Sequence, residues 1–143
     1  MNTAQTALKA IVNLNIAPEA PFEGAVLKRD YHGGRSVLLE RRADGLYIDG
    51  KKLLLGGKHV EGRSLNARLL DFLLANPGFI PYECRFDGTG RYRTCFSGTS
   101  WEFEGKSYVR TLYLVGNDWK GGYEEWNGRD LGEEVDTDFA LVA

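Results

Sequence analysis

Residues 95–126, CFSGTSWEFEGKSYVRTLYLVGNDWKGGYEEW, hold all three tryptophans of the chain and read as three antiparallel strands joined by two tight turns. The clearest strand is 108–115, YVRTLYLV, in which β-branched and aromatic residues alternate with period two. One face carries Tyr108, Arg110, Leu112 and Leu114; the other carries Val109, Thr111, Tyr113 and Val115. Both faces are largely apolar, so this strand is expected to be central and covered on each side. The strand before it, 95–103, reaches it through Glu104-Gly105-Lys106, whose glycine supplies the positive φ of a short hairpin turn. Gly116-Asn117-Asp118 makes the second turn by the same logic. The third strand, 119–126, contains Gly121-Gly122, and glycine inside a strand marks a bulge or a close approach by another group.

Upstream, 64–76 (SLNARLLDFLLAN) predicts a helix: Ser64 is placed to cap it, and Leu65, Leu69, Phe72 and Leu73 recur at helical spacing. Asn76-Pro77-Gly78 ends it. A stripe this apolar needs a sheet face, and the meander that follows is the nearest one. Earlier still, Asp49-Gly50 lies between two apolar runs and is the strongest hairpin signal in the chain, because a type I′ turn demands positive φ at both central positions. Strands are also expected at 25–27 and 36–42. The first segment, 3–14 (TAQTALKAIVNL), reads as a short helix with Leu8, Ile11 and Val12 on one side, and Pro18 and Pro21 break the chain after it. The tail 139–142, FALV, is apolar enough to add an edge strand.

These elements predict an α+β protein with an N-terminal helix, β-hairpins, a central amphipathic helix and a C-terminal antiparallel meander. At 143 residues the expectation is one domain, with 1–24 as helix and proline-containing arm and 25–143 as the α+β core. A chain of that length buries roughly two thirds of the surface its unfolded form exposes, which is enough for a core without disulfide or metal. Cys84 and Cys95 stand eleven residues apart, match no zinc or redox spacing, and read as free buried thiols, with a disulfide between them as the lesser alternative. No apolar run approaches the roughly 20 residues of a membrane span and no secretory signal is legible at the start, so a cytoplasmic location away from the membrane is expected.

Net charge is −2, unevenly spread. Between 28 and 68 ten Lys/Arg face five Asp/Glu, a balance of +5; between 118 and 138 two face eight, a balance of −6. Such asymmetry marks a basic face for an anionic partner, an acidic segment that competes for it, or two solvated surfaces.

The order LDFLLANPGFIP, FSGTSWEFEGKSYVRTLYL, then DWKGGYEEWNGRDLGEEVDTDFALVA resembles a group of small uncharacterised bacterial proteins. The likeness covers about the last 80 residues and rests on Gly98-Thr99, Tyr108-Val109-Arg110, Leu112-Tyr113 and Trp119. The chain departs from the group's pattern at Leu114, where a further tryptophan is usual. The resemblance implies a shared fold and brings no activity with it.

No nucleophile elbow, paired-histidine metal site, P-loop or EF-hand is present, and no catalytic residue, metal ligand or cofactor is assigned. His32 and His59 both fall in loops without motif context. Asp87-Gly88-Thr89-Gly90 precedes a strand instead of opening a helix and is read as a plain turn. The acidic run Asp130, Glu133, Glu134, Asp136 and Asp138 lacks the spacing of a calcium loop. What stands out is the density of rings. Trp101, Trp119, Tyr123 and Trp126, with Glu125 at the rim, form the candidate surface for a protein partner, including a homodimer contact if the third strand is a sheet edge. The leading expectation is therefore a non-catalytic interaction module. The alternative is a nucleic-acid-binding accessory protein using the basic 28–68 region with Arg91, Arg93 and Arg110. An enzyme of undetected class is the lesser reading.

Overall fold

The computed structural model describes residues 8–85, 92–126 and 137–142. Of these, 53% lie in strands and 13% in helical turns, so the protein is mostly β, which corrects the α+β expectation. The strands are β1 (Leu8–Asn13), β2 (Val26–Asp30), β3 (Ser36–Arg42), β4 (Gly45–Ile48), β5 (Lys51–Gly56), β6 (Arg93–Phe103), β7 (Lys106–Val115), β8 (Asp118–Glu125) and β9 (Thr137–Val142). One α-helix, α1 (Ala67–Ala75), lies between β5 and β6, followed by 3-10 turns at Pro77–Phe79 and Tyr82–Cys84. The sheet runs β1-β3-β4-β5-β9-β6-β7-β8, with β2 also paired to β6.

The expected N-terminal helix is strand β1, paired antiparallel with β3 in unbroken register from Leu8↔Arg41 to Asn13↔Ser36. Leu8, Ile11 and Val12 satisfy a helical spacing, but the strand uses Ala10, Val12 and Leu14 on one side. Val12 and Leu14 are buried there, while Ile11 points away and is 69% exposed. Expectation and structure agree closely for the hairpin β4–β5: Asp49 has φ 51° and Gly50 φ 82°, the two positive values of a type I′ turn.

Helix α1 is capped by Asn66, whose side chain accepts from the Leu69 amide at 3.1 Å. Ser64, the expected cap, instead bridges to Leu141 and accepts from the Val60 amide. The helix sits between the two halves of the sheet. Leu65 just before it, with its Leu69, Leu70 and Leu73, shares one core with Val12, Val37, Leu39 and Ile48 of the first half and Phe96 and Leu112 of the meander. Burial of a leucine in such a core contributes about 1.5–3 kcal/mol.

The tail strand does not form an edge. β9 pairs antiparallel with β5 and parallel with β6, so it joins the N-terminal hairpins to the meander. β6 is the hub. One of its edges takes β7; the other takes β9 at Arg93–Cys95 and β2 at Thr99–Glu102. Between those two partners, at Gly98, the backbone of Ser64 and Leu65 presses against the strand: Gly98 N donates to Leu65 O at 2.8 Å and Gly98 O accepts from Tyr31 N at 2.7 Å. A Cβ on Gly98 would lie 2.4 Å from Ser64 O, so this position requires glycine for space.

The bulge expected at Gly121-Gly122 is absent, since β7 and β8 pair without a register break from Tyr108↔Glu125 to Val115↔Asp118. The irregularity sits in β6, between Phe96 and Trp101. Close approach does occur at Gly121, where Leu74 Cδ1 and the Arg110 guanidinium occupy the space a side chain would need. Cys84 and Cys95 are free and buried in separate clusters, and burial pushes the Cys84 thiol up to about 12.

Candidate functional site

The regular β8 register divides the aromatic set between two faces of the sheet. On the helix side lie Trp101, Trp119, Tyr123 and Arg110; on the other lie Trp126, Arg93 and Glu124.

On the helix side Trp101 is 2% exposed and packs edge-on against Tyr123, their centroids 5.7 Å apart. Arg110 lies over the Tyr123 ring at 4.7 Å and its Nη2 donates to Asp71 Oδ1 at 2.6 Å, so this arginine ties β7 to α1. Tyr123 donates its hydroxyl to Glu19 O at 2.7 Å, and Phe22 packs on Phe103 and Tyr108. The proline-containing arm thus lies against this part of the face. Trp119, toward the other end of β8, stays half-buried. It walls an open cleft of about 600 Å³ between Leu74 at the end of α1 with Pro77 and Gly78 of the following 3-10 turn, and Asn117 with Asp118 and Lys120 at the start of β8. Arg85 stands 5.6 Å from its ring, in the range of a cation–π contact. β8 itself ends the sheet: among the described strands it pairs only with β7.

On the opposite face Trp126, 3% exposed, belongs to a second small core with Cys95, Val109, Phe139 and Leu141. Beside it is a polar cluster that sequence reading did not assemble. Arg29 lies over both Tyr31 (5.8 Å) and Trp126 (5.5 Å) and donates to Ser97 O. His59 stacks on Tyr31, with Nδ1 2.6 Å from Ser97 Oγ and Nε2 3.3 Å from the Tyr31 hydroxyl. Burial, reinforced by the Arg29 charge, lowers the His59 pKa to about 4, so the ring is neutral at pH 7. Ser97 is fully buried, which removes it as an accessible nucleophile. These residues come from β2 and the residue after it, the loop after β5, and β6, and no local motif links them.

Of the arginines named for nucleic acid, Arg91 lies outside the described residues. Arg93 pairs with Glu124 and Arg110 with Asp71, on opposite faces of the sheet. In the basic 28–68 region Lys28, Arg35, Arg42, Lys52 and Arg68 all pair with carboxylates. Glu125 is exposed and lies 3.5 Å from Lys106. Residues 87–90 and the acidic positions 130–136 lie outside the described residues. Among the described residues no cluster of three His, Cys, Asp or Glu side chains is placed to hold a metal, and no helix is long and apolar enough to cross a membrane. Comparison with family models, with curated proteins and with solved structures gave no match.

Proposed function

We propose that this protein is a non-catalytic interaction module that holds an extended segment of a protein partner, which can be a second copy of itself, along strand β8. The observation that carries this reading is the edge of β8, which among the described strands pairs only with β7, lying beside the Trp119 cleft. Strand addition uses main-chain hydrogen bonds for affinity and a side-chain pocket for selection. β8 offers both, an edge among the described strands and the cleft beside Trp119. Tryptophan and arginine are both enriched among the residues that carry most of the binding energy at protein interfaces, and here Arg85 stands beside a half-buried Trp119. Nucleic-acid binding remains the alternative, and the pairing of Arg93 and Arg110 with carboxylates on separate faces speaks for the protein partner instead.

A library of extended ten-residue peptides, screened by fluorescence polarisation against the full chain, tests the proposal together with light scattering for self-association. A ligand of this site slows hydrogen exchange of the β8 amides and binds at least tenfold more weakly to Trp119→Ala, as expected of a central aromatic anchor. Binding that is indifferent to Trp119→Ala and leaves β8 exchange unchanged refutes it.

A further inference from the structure

The opposite end of the sheet carries a second, independent feature. Among the described strands β1 pairs only with β3, so it forms the other edge, and it shares no residue with the β8 cleft. The ladder fixes which of its main-chain groups point outward. Leu38 O accepts from Asp49 N at 2.8 Å on the β4 side, so Val37, Leu39 and Arg41 turn their main-chain groups toward Val12, Ala10 and Leu8 of β1. Leu14 N donates to Arg35 O at 2.7 Å in the same phase. By the alternation of an antiparallel ladder, Lys9, Ile11 and Asn13 direct their N–H and C=O groups off the edge.

The side chains of those same three residues are exposed, and each has a cross-strand neighbour on the same face: Ile11 beside the exposed Leu38, Lys9 beside Glu40, Asn13 beside Ser36. Edges in folded proteins are commonly blunted by charges, proline or a bulge. β1 has one charge, no proline and an unbroken register. Alongside it an open groove of about 310 Å³, which Ile11, Asn13 and Ile16 form with Asp71 and Phe72 of α1, keeps the edge accessible to another chain.

We propose that β1 pairs antiparallel with β1 of a second copy of this chain, about a two-fold axis at Ile11. A copy is the occupant because the strand complements itself in one register. Residues opposed across an antiparallel pair point to the same face, so a symmetric pairing opposes residues of equal parity. Centred on Ile11, it sets Ile11 against Ile11 of the copy and Lys9 against Asn13, with two main-chain hydrogen bonds at each pair, and so engages every outward-pointing residue of β1. Leu38 and Ile11 then continue into Ile11 and Leu38 of the copy as one aliphatic row across the junction. On either side of it run Glu40, Lys9, Asn13 and Ser36, where no like charges face each other. An axis one residue away puts Lys9 or Asn13 against Ile11 and breaks that row. At the ends of the pairing the exposed Leu8 of each copy comes opposite Leu14 of the other, beside the groove. The contact is isologous, so it closes at two copies and leaves both β8 edges free at the far ends.

Sedimentation equilibrium of the full chain is expected to show a monomer–dimer equilibrium with a dissociation constant of about 1–100 μM, as suits an interface at the small end of the size range. Ile11→Lys changes an exposed side chain and opposes two cations on the axis, so it should weaken the dimer at least about tenfold. Cross-linking reads the register. Ile11→Cys brings two thiols together where the Cα atoms lie about 5.5 Å apart, within the span of a disulfide, whereas Leu38→Cys holds them three strand spacings apart, about 14 Å. Oxidised glutathione should therefore link the first variant into a dimer and not the second, the native Cys84 and Cys95 being buried. Trp119→Ala should leave the dimer unchanged, which separates this contact from binding at β8. A chain that stays monomeric, a dimer indifferent to Ile11→Lys, cross-linking through Leu38→Cys as efficient as through Ile11→Cys, growth beyond two copies, or loss of the dimer in Trp119→Ala overturns the proposal.

Discussion

Replacing Gly98 by alanine probes the point where the two halves of the sheet are joined. The added Cβ would lie 2.4 Å from Ser64 O and 2.7 Å from both C and O of Leu65, where ordinary contact begins at 3.4 Å. The obstructing atoms are backbone, so no side-chain rotation relieves them and the 64–65 segment must retreat by about 1 Å. That segment cannot retreat freely. Leu65 O accepts from Gly98 N at 2.8 Å, and Leu65 N donates to Ala140 O at 2.9 Å, holding β9 in place. Overpacking costs about 1–3 kcal/mol and each compromised buried hydrogen bond about 1 kcal/mol, giving a destabilisation of about 3–5 kcal/mol. Against a total stability of about 5–15 kcal/mol this is large. Urea unfolding followed by tryptophan fluorescence measures it, with Gly57→Ala as control because nothing lies within 4 Å of its would-be Cβ. If Gly98→Ala unfolds within about 0.5 kcal/mol of wild type, the ordinary range for neutral surface changes, the backbone contact is not what joins the halves.

Three further perturbations bear on the core and the polar clusters. Leu69→Ala, at a position 3% exposed in the main core, should cost about 2–5 kcal/mol by the same unfolding assay, and an unchanged melting temperature would contradict the helix packing. Arg68, 9% exposed, forms a bidentate pair with Asp30 and donates its Nε to Ile16 O, so Arg68→Ala strands a partly buried carboxylate and should cost about 3–5 kcal/mol, whereas Arg68 and Asp30 removed together should cost less than the sum. His59 titrates near 4 in the folded chain against 6.5 in its ordinary state, so the unfolded state binds the extra proton between those values. Stability contributed by the neutral ring is therefore present above about pH 6.5 and lost as pH falls toward 4; His59→Gln should lack that component, and identical pH profiles for the two proteins would refute the assignment.

The readable parts of the sequence were those fixed locally. The Asp49-Gly50 turn, the alternation of β7 and the leucine stripe of α1 each depend on residues within one or two turns of chain, and each lies where expected. The first segment is ambiguous by pattern because LKAIVN carries apolar residues that fit both periods; what selects the strand is β3, some 25 residues on, whose ladder only a strand can complete. The tail was misplaced for a similar reason. FALV declares a strand, but its neighbours β5 and β6 lie about 85 and 45 residues back, and nothing in the four residues specifies an interior slot. Candidate-site residues divided the same way. Alternation placed Trp119 and Tyr123 on a common face correctly, while Trp101 and Trp126 went to the interior. The register shift in β6 turns Trp101 onto the helix side against Tyr123, and Trp126 closes the small core with Cys95 and Val109. His32 and His59 carried no signal at all, since their neighbours arrive from strands far away in sequence.

The two ends of the sheet are finished differently, and the difference sets the terms on which a partner could join. β1 exposes Ile11 beside its cross-strand partner Leu38, with Lys9 as its one charged residue. β8 places Asp118, Lys120, Glu124 and Glu125 around its two glycines. Charged side chains on an edge strand discourage indiscriminate pairing, because an incoming strand must match them or leave like charges opposed. Two of the four are already engaged, Glu124 with Arg93 and Glu125 with Lys106. Among the described residues Asp118 and Lys120 make no ion pair, and they stand at the end of the strand where Trp119 lines its cleft. A segment added to β8 therefore gains most by presenting a large apolar side chain to Trp119 between an acidic residue facing Lys120 and a basic one facing Asp118. Reversing that charge order should weaken binding more than removing the charges altogether.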